Sequence, residues 1–243
     1  LSFFFNVHND FFEEISKFRV ARKIWAETLR DKYHAKQERS LWMRFHAQTS
    51  GVALTAQQPD NNVVRSTLQG LSAVLGGTQS LHVNSRDEAL SLPTTESAEL
   101  SLRTQQILAH ETSITDTVDP LGGSYYIEHL TDQIETEANT YIDQIQNLGG
   151  ALGALQQSFQ IKEIHDSAYK LQQDIESNDR IVVGVNAFQT EDPALIPIQR
   201  IDPNQTRIQL ERLAKVKSER NSSVVNQSLE NLKVAASGSQ NIM

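Results

Sequence analysis

Cysteine is absent from these 243 residues. That excludes disulfides, thiolate nucleophiles and Cys-based zinc sites together, and it suggests a reducing setting such as the cytoplasm. No apolar run approaches the roughly 20 residues of a membrane-spanning helix, and no basic-then-apolar leader is present. Positive charge is also scarce: 22 Lys and Arg face 30 Asp and Glu, a net charge of -8, and no basic run exceeds two residues. Nucleic acid and anionic membrane are therefore excluded as partners on electrostatic grounds. GxGxxG, GxxxxGK and GxSxG do not occur, which removes the local signals for dinucleotide, Walker-type phosphate and hydrolase chemistry. The seven histidines never recur three or four residues apart, so no local metal site is expected. The chain begins with Leu and opens directly on the apolar run Leu1 to Phe5, which suggests a piece of something longer.

What is present alternates. Leu1 to Phe5 reads as a buried strand. A helix then opens at Asp10, with Glu13 placed for a capping box and an apolar face of Phe11, Ile15, Phe18, Ala21, Trp25 and Leu29. Leu41 to Phe45 is expected as a second strand. Pro59 and Asp60 start a helix striped by Val64, Leu68, Leu71 and Leu75, which Gly76 and Gly77 end. Ser80 to Val83 is a third strand, and a helix after Pro93 runs to about His110. The fold class is α/β, and three strand-helix units over residues 1–115 fit part of a (β/α)8 TIM barrel, which needs eight. Residues 116–220 read as a mostly helical extension. The turn DPLGGSYYIE leads into a helix stopped by Gly149 and Gly150, a further helix reaches about Ile175, Ile181 to Val185 is a candidate edge strand, and Asp202-Pro203 starts a last amphipathic helix. Residues 221–243, rich in Ser, Asn and Gln, read as a linker or tail.

Chemistry concentrates in two segments, FHAQTSGVALTAQQP at 45–59 and GGTQSLHVNSRDEALSLPT at 76–94. Each takes a strand into a polar loop, the way a β/α barrel presents reactive groups at the carboxyl ends of its strands. His46 and Gln48 alternate with Phe45 and Ala47, so both point to one face, as ligand contacts or as satisfied core polar groups. Gly51 permits close backbone approach to a flat ligand or simply makes a turn. Glu88 is placed to accept from a sugar diol, or is a solvated helix-start charge. Ser80 and His82 alternate on the third strand, where an inward Ser donates to a carbonyl or satisfies backbone.

The blocks TSGVALTAQQPDNN, GGTQSLHVNSRDEALSLPT, LRTQQILAHET, DPLGGSYYIE and VGVNAFQ together resemble the large-subunit barrel of the adenosylcobalamin-dependent acyl-CoA mutases, the methylmalonyl-CoA and isobutyryl-CoA mutase family, over residues 1 to about 220. The resemblance implies an isomerase that rearranges the carbon skeleton of a branched acyl-CoA by radical chemistry supplied by adenosylcobalamin. Acyl-CoA would lie along the barrel axis and the corrin against the carboxyl-terminal rim. It further implies that His46 and Gln48 lie beside the adenosyl group and corrin, Gly51 and Val52 under the corrin, and Glu88, Ala89 and Ser91 in the next rim loop, with Glu88 on the ribose hydroxyls. Ser2 and Ser80 would contact acyl-CoA. Val52 stands where the best known methylmalonyl-CoA mutases carry Trp, and so fits the isobutyryl type better. The family's substrate-reading Tyr, Arg and His would precede residue 1, and its cobalt-ligating domain would follow residue 243 or sit on a small subunit. This chain alone would then be inactive, and assembly into a homo- or hetero-oligomer is expected. The alternative is a noncatalytic half-barrel module that joins a partner chain through open strand edges.

Overall fold

The structure, a computed structural model, describes residues 2–191 and 196–242. Residues 1–199 form one compact unit and residues 200–243 a second. The first unit is built on three strands, β1 (Phe3–Val7), β2 (Phe45–Thr49) and β3 (Ser80–His82), in one parallel sheet of order β1-β2-β3. The register sets Phe4 beside His46 and Asn6 beside Gln48 on one side of β2, and Ser80 and His82 beside the same two residues on the other. Helix α1 (Phe11–Glu27) with the short α2 (Glu38–Leu41), and α3 (Asn61–Leu75), provide the two crossovers, and α4 (Thr95–His110) follows β3.

Period-two alternation divides the sheet into two unlike faces. Phe5, Val7, Phe45, Ala47 and Leu81 turn toward the helices and pack with Phe18 and Ala73. Phe18 is fully buried and stacks on Phe45 with centroids 4.8 Å apart, while Phe5 meets both rings edge-on. Burying such a side chain contributes about 2 to 3 kcal/mol. The other face carries Phe4, Asn6, His46, Gln48, Ser80 and His82, none of them buried and, Phe4 apart, all polar. Among the described residues the strands are therefore buried on one face only.

Helix α5 (Tyr125–Asn147) packs along α1. Arg19 Nη2 donates to both carboxylate oxygens of Glu128 at 2.9 and 3.1 Å, and Lys23 pairs with Glu135. Helices α6 (Gly150–Gln156) and α7 (Phe159–Glu176) follow. In the second unit, α8 (Pro203–Glu219) starts as the sequence predicts, with Pro203 in its first turn and the Asp202 side chain accepting from Asn204 N at 2.9 Å. Helix α9 (Ser222–Ala236) occupies most of the expected tail.

Several boundaries differ from the sequence reading. The second strand begins at Phe45, not Leu41, because residues 38–41 coil into a helical turn; His46 and Gln48 therefore lie inside the strand. Leu1, assigned to the first strand, lies outside the described residues. The Asp10 side chain makes no cap hydrogen bond, so the expected capping box is not formed. The helix expected to reach Ile175 without interruption is broken at Ser158, whose φ of 57° is left-handed. Ile181 to Val185 makes no strand; the only pairing there among the described residues is a bridge between Val183 and Ala187. Gly77 takes the left-handed turn that ends α3, with φ at 83°.

Candidate functional site

The carboxyl ends of the three strands open into loops 8–10, 50–60 and 83–94, and these loops touch one another through buried polar side chains. Thr49 ends β2 with its hydroxyl accepting from Asn84 N at 2.8 Å and its carbonyl accepting from Asn84 Nδ2 at 2.8 Å. Asn84 Oδ1 in turn accepts from Gln48 Nε2 at 3.0 Å. From α3, the buried Gln69 accepts from Ser50 N at 3.1 Å and donates to Asn9 Oδ1, joining the first rim loop to the second. The buried Asn62, also on α3, donates to both Thr55 O and Arg86 O, joining the second to the third. Each amide has a donor and an acceptor on one small group, so each can satisfy two strands' ends at once. Loops that would otherwise leave backbone groups unpaired are closed this way.

The sequence-predicted residues fall as follows. His46 and Gln48 share the uncovered sheet face, and His46 Nδ1 lies 2.8 Å from Ser80 Oγ, which leaves Nε2 for a ligand. Ser2, exposed and two residues before Phe4, continues the same alternation ahead of β1. Gly51 and Val52 form a single tight turn directly after β2, Gly51–Ala53, with Val52 76% exposed and apolar. Glu88 is exposed in the third loop, and a Cβ added at Gly51 would stand 3.3 Å from its Cγ and Oε1. Gly51 has no left-handed φ, so what its missing side chain provides is room for Glu88 and Asn84. Ala89 is exposed beside Glu88, and Ser91 turns back, with N donating to Asp87 O and Oγ to Leu92 O. The structure thus brings Gly51 and Glu88 together, ties Gln48 to them through Asn84, and brings His46 and Ser80 together one step down the strands. Ser91 faces its own loop.

Sequence reasoning singled out the exposed Glu88 and passed over its buried neighbour. Asp87 is fully buried, with Oδ1 accepting from Ser85 Oγ at 2.6 Å and Oδ2 from Thr94 N at 2.9 Å. Burial pushes its carboxyl up, but the hydrogen bonds from Ser85, Thr94 and Ser97 outweigh it and hold the group below the ordinary aspartate range. Thr94 is itself the N-cap of α4, its Oγ1 accepting from Ser97 N, so Asp87 fixes the loop that carries Glu88 to the helix that follows. Asn62, Gln69 and Asn84 were also missed. The signal available was, for Asn62 and Gln69, an amide side chain within α3 and, for Asn84, its place just past β3. His8, directly after β1, is half-buried, and burial first and Arg180 second depress its affinity for a proton. Segment 183–189 backs the second loop: Gln58 Nε2 donates to Phe188 O and Arg65 Nη2 to Val183 O.

An exposed apolar turn beside an exposed carboxylate, with an amide and an imidazole on the adjoining sheet face, offers an apolar contact next to hydrogen-bonding groups. Among the described residues no helix is long and apolar enough to cross a membrane. The methylmalonyl-CoA mutase family profile matches residues 1–243. The 2-hydroxyisobutanoyl-CoA mutase large subunit of Aquincola tertiaricarbonis is 41% identical over 245 residues, covering 100% of this chain and 44% of that protein. The mitochondrial methylmalonyl-CoA mutase of Bos taurus is 41% identical and the methylmalonyl-CoA mutase of Rhizobium meliloti 41% identical, each over the whole chain and about a third of its own length. The chain therefore spans less than half the length of these relatives.

Proposed function

This chain belongs to the methylmalonyl-CoA mutase family, and from that premise we propose that it supplies the last three β/α units of a TIM-type barrel in an acyl-CoA mutase. Under this reading residues 1–115 are barrel, 116–220 a helical extension and 221–243 a linker. The protein would isomerise a branched acyl-CoA of the methylmalonyl-CoA to succinyl-CoA kind, with adenosylcobalamin bound at the carboxyl ends of β1 to β3. Val52 favours an isobutyryl-type large subunit within that class.

The observation that carries the proposal is the meeting of Gly51 and Glu88 across two loops, with Asn84 between Gly51 and Gln48. The residues present fit the cofactor: the Gly51–Ala53 turn offers Val52 as an apolar platform, and Glu88 offers two acceptors to a vicinal diol. When bound, the cofactor supplies the radical that starts rearrangement. The chain's own part is to orient and to exclude water. His46, held through Nδ1 by Ser80, presents Nε2; Gln48, held through its amide nitrogen by Asn84, presents its carbonyl oxygen. Ser2 and Ser80 lie farther from the rim on the same face, where acyl-CoA would run. Ala89 and Ser91 belong to the loop that shapes the cofactor's edge. A cobalamin-binding domain, on this polypeptide or on a small subunit, completes the site, consistent with the words "large subunit" in the Aquincola relative's name. A cytoplasmic setting also belongs to this proposal, the mitochondrial relatives differing by name.

The second reading, a noncatalytic half-barrel that assembles with a partner chain, is favoured by one observation. Both edges of the sheet, on β1 and β3, are unpaired among the described residues. Titration of adenosylcobalamin into this chain and into Glu88→Ala, followed by corrin absorbance and by emission of Trp25 and Trp42, separates the two. Binding that Glu88→Ala weakens supports the mutase rim. Equal binding by both overturns the role of Glu88, and no binding by either favours the half-barrel module.

A further inference from the structure

A cavity of about 330 Å³ lies at the amino ends of β1 and β2, lined by Phe3, Trp25, Leu29, Arg39, Trp42 and Arg44. It holds both tryptophans of the chain. Trp25 is anchored, its Nε1 donating to Ser40 O at 3.1 Å and its ring meeting Phe3 edge-on, whereas Trp42 is 56% exposed. Arg39 and Arg44 make no hydrogen bond or ion pair through their side chains among the described residues. Arg19, Arg22, Arg65 and Arg86, by contrast, each donate to a carboxylate or a carbonyl. No acid lines the cavity among the described residues, so it is a local site of positive charge in a chain of net charge -8. The backbone beside it is unusual as well. Leu29 lies in a π-helical turn, Thr28–Lys32, that follows α1, with Tyr33 N donating to Thr28 O at 3.2 Å. Such turns are rare and recur at functional sites.

We propose that this cavity binds a free purine nucleoside monophosphate. Indole surface accepts the flat face of a base, and stacking of this kind tolerates any base. Free guanidinium forks match phosphate oxygens, which Arg binds in pairs of parallel hydrogen bonds. A simple anion would use the arginines and leave the indoles idle, and a neutral aromatic would do the reverse. A nucleotide uses both, and the volume falls in the range of small-ligand pockets. Phe3 packs against the helix-side core, so the cavity lies on the covered side of the sheet. Acyl-CoA is proposed to run on the other face, and the inference therefore stands apart from the proposed cofactor site.

Titration of AMP into this chain, followed by emission of Trp25 and Trp42, tests it, with adenosine, inorganic phosphate and CoA in parallel. AMP should quench the emission saturably and bind about tenfold or more tightly than adenosine, and inorganic phosphate should compete with it. Arg39→Gln and Arg44→Gln should each weaken AMP about tenfold and leave adenosine unchanged. Trp42→Ala should weaken AMP and adenosine alike by about tenfold, with Trp25 as the remaining reporter. Arg44→Lys keeps the charge without the fork and should fall between wild type and Arg44→Gln. AMP affinity should also drop as salt rises, since the arginines are open to solvent. Absence of saturable quenching by AMP, adenosine binding as tightly as AMP, or AMP affinity unmoved by these substitutions would overturn the proposal. CoA binding more tightly than AMP and weakened by the same substitutions would give the cavity to the coenzyme's nucleotide end and overturn a separate site. Cobalamin is left out of this titration, so its failure does not touch the cofactor reading.

Discussion

Removal of the Asp87 carboxylate should be among the most costly single changes in this chain, although no ligand is expected to touch it. Asp87 is fully buried and accepts from Ser85 Oγ at 2.6 Å and from Thr94 N at 2.9 Å. Hydrogen bonds to a charged acceptor contribute about 1.5 to 3 kcal/mol each, and a buried donor left unpaired costs about 1 to 3 kcal/mol. Asp87→Ala strands Thr94 N and the Ser85 hydroxyl together, so a loss of about 3 to 4 kcal/mol is expected. Asp87→Asn keeps one acceptor but aims an amide nitrogen at a donor, for a loss of about 2 kcal/mol. Urea unfolding by circular dichroism measures both. The carboxyl's folded pKa lies below its ordinary value of 3.8, so the folded state binds this proton less readily than the unfolded state. Its stabilisation is therefore present in full above that value and is lost as pH falls through the lower, folded one. Wild type and Asp87→Asn should differ at neutral pH and converge below about pH 3. A loss under about 1 kcal/mol for Asp87→Ala, or a gap to Asp87→Asn that persists in strong acid, would refute the reasoning.

Gly51→Ala should cost about 1 kcal/mol, because the new methyl would meet the fixed Asn84 Nδ2 at 3.2 Å while the exposed Glu88 swings aside. The same variant should bind adenosylcobalamin more weakly than wild type in the absorbance titration, since Glu88 no longer sits against the turn. His8 has a folded pKa below its ordinary 6.5, burial being the main cause. Its contribution to stability is thus present above that value and lost as pH falls through the folded one. The urea midpoint of wild type should fall further between neutrality and about pH 5 than that of His8→Gln; parallel curves would remove His8 from the account.

The alternation of strands and helices was legible because it depends on local pattern. Phe5, Val7, Phe45 and Ala47 recur at period two, and Gly76-Gly77 mark a helix end that only a left-handed residue can make. The placement of β2 was not legible at its start. Leu41, Trp42 and Met43 look like strand, yet residues 38–41 coil into a helical turn and pairing with β1 begins at Phe45. The break at Ser158 lacks any signal in residue type, since serine rarely adopts a positive φ. At the site, His46 and Gln48 drew notice as polar residues at a strand end and Gly51 and Glu88 as loop residues, but only the family resemblance gave them ligand roles. Asn62 and Gln69 did not stand out, because on α3 they interrupt a helix that reads as amphipathic, and their partners lie on strands far away in sequence. Asp87 was hidden by its neighbour: sequence cannot tell which of two adjacent acids faces inward.

The two ends of the sheet differ in a way that bears on where a ligand belongs. At the amino ends the packing is aromatic, with Phe3 edge-on to Trp25 at 4.9 Å and Phe45 stacked on Phe18. At the carboxyl ends it includes amides, hydroxyls and the buried Asp87 carboxylate, with Gln69, Asn62, Asn84, Thr49 and Ser50 among them. If stability alone were at stake, apolar packing would serve both ends, since each buried polar group must first recover its lost hydration. Polar packing instead fixes orientation, because a satisfied amide has one allowed pose where a leucine has several. A carboxyl-terminal rim built this way is stiff without being greasy, and the groups it does not consume, His46 Nε2, the Gln48 carbonyl and the Glu88 carboxylate, stand on that stiff base. Such an arrangement suits the proposed cofactor site, where the chain's own contribution would be to hold the reacting parts still.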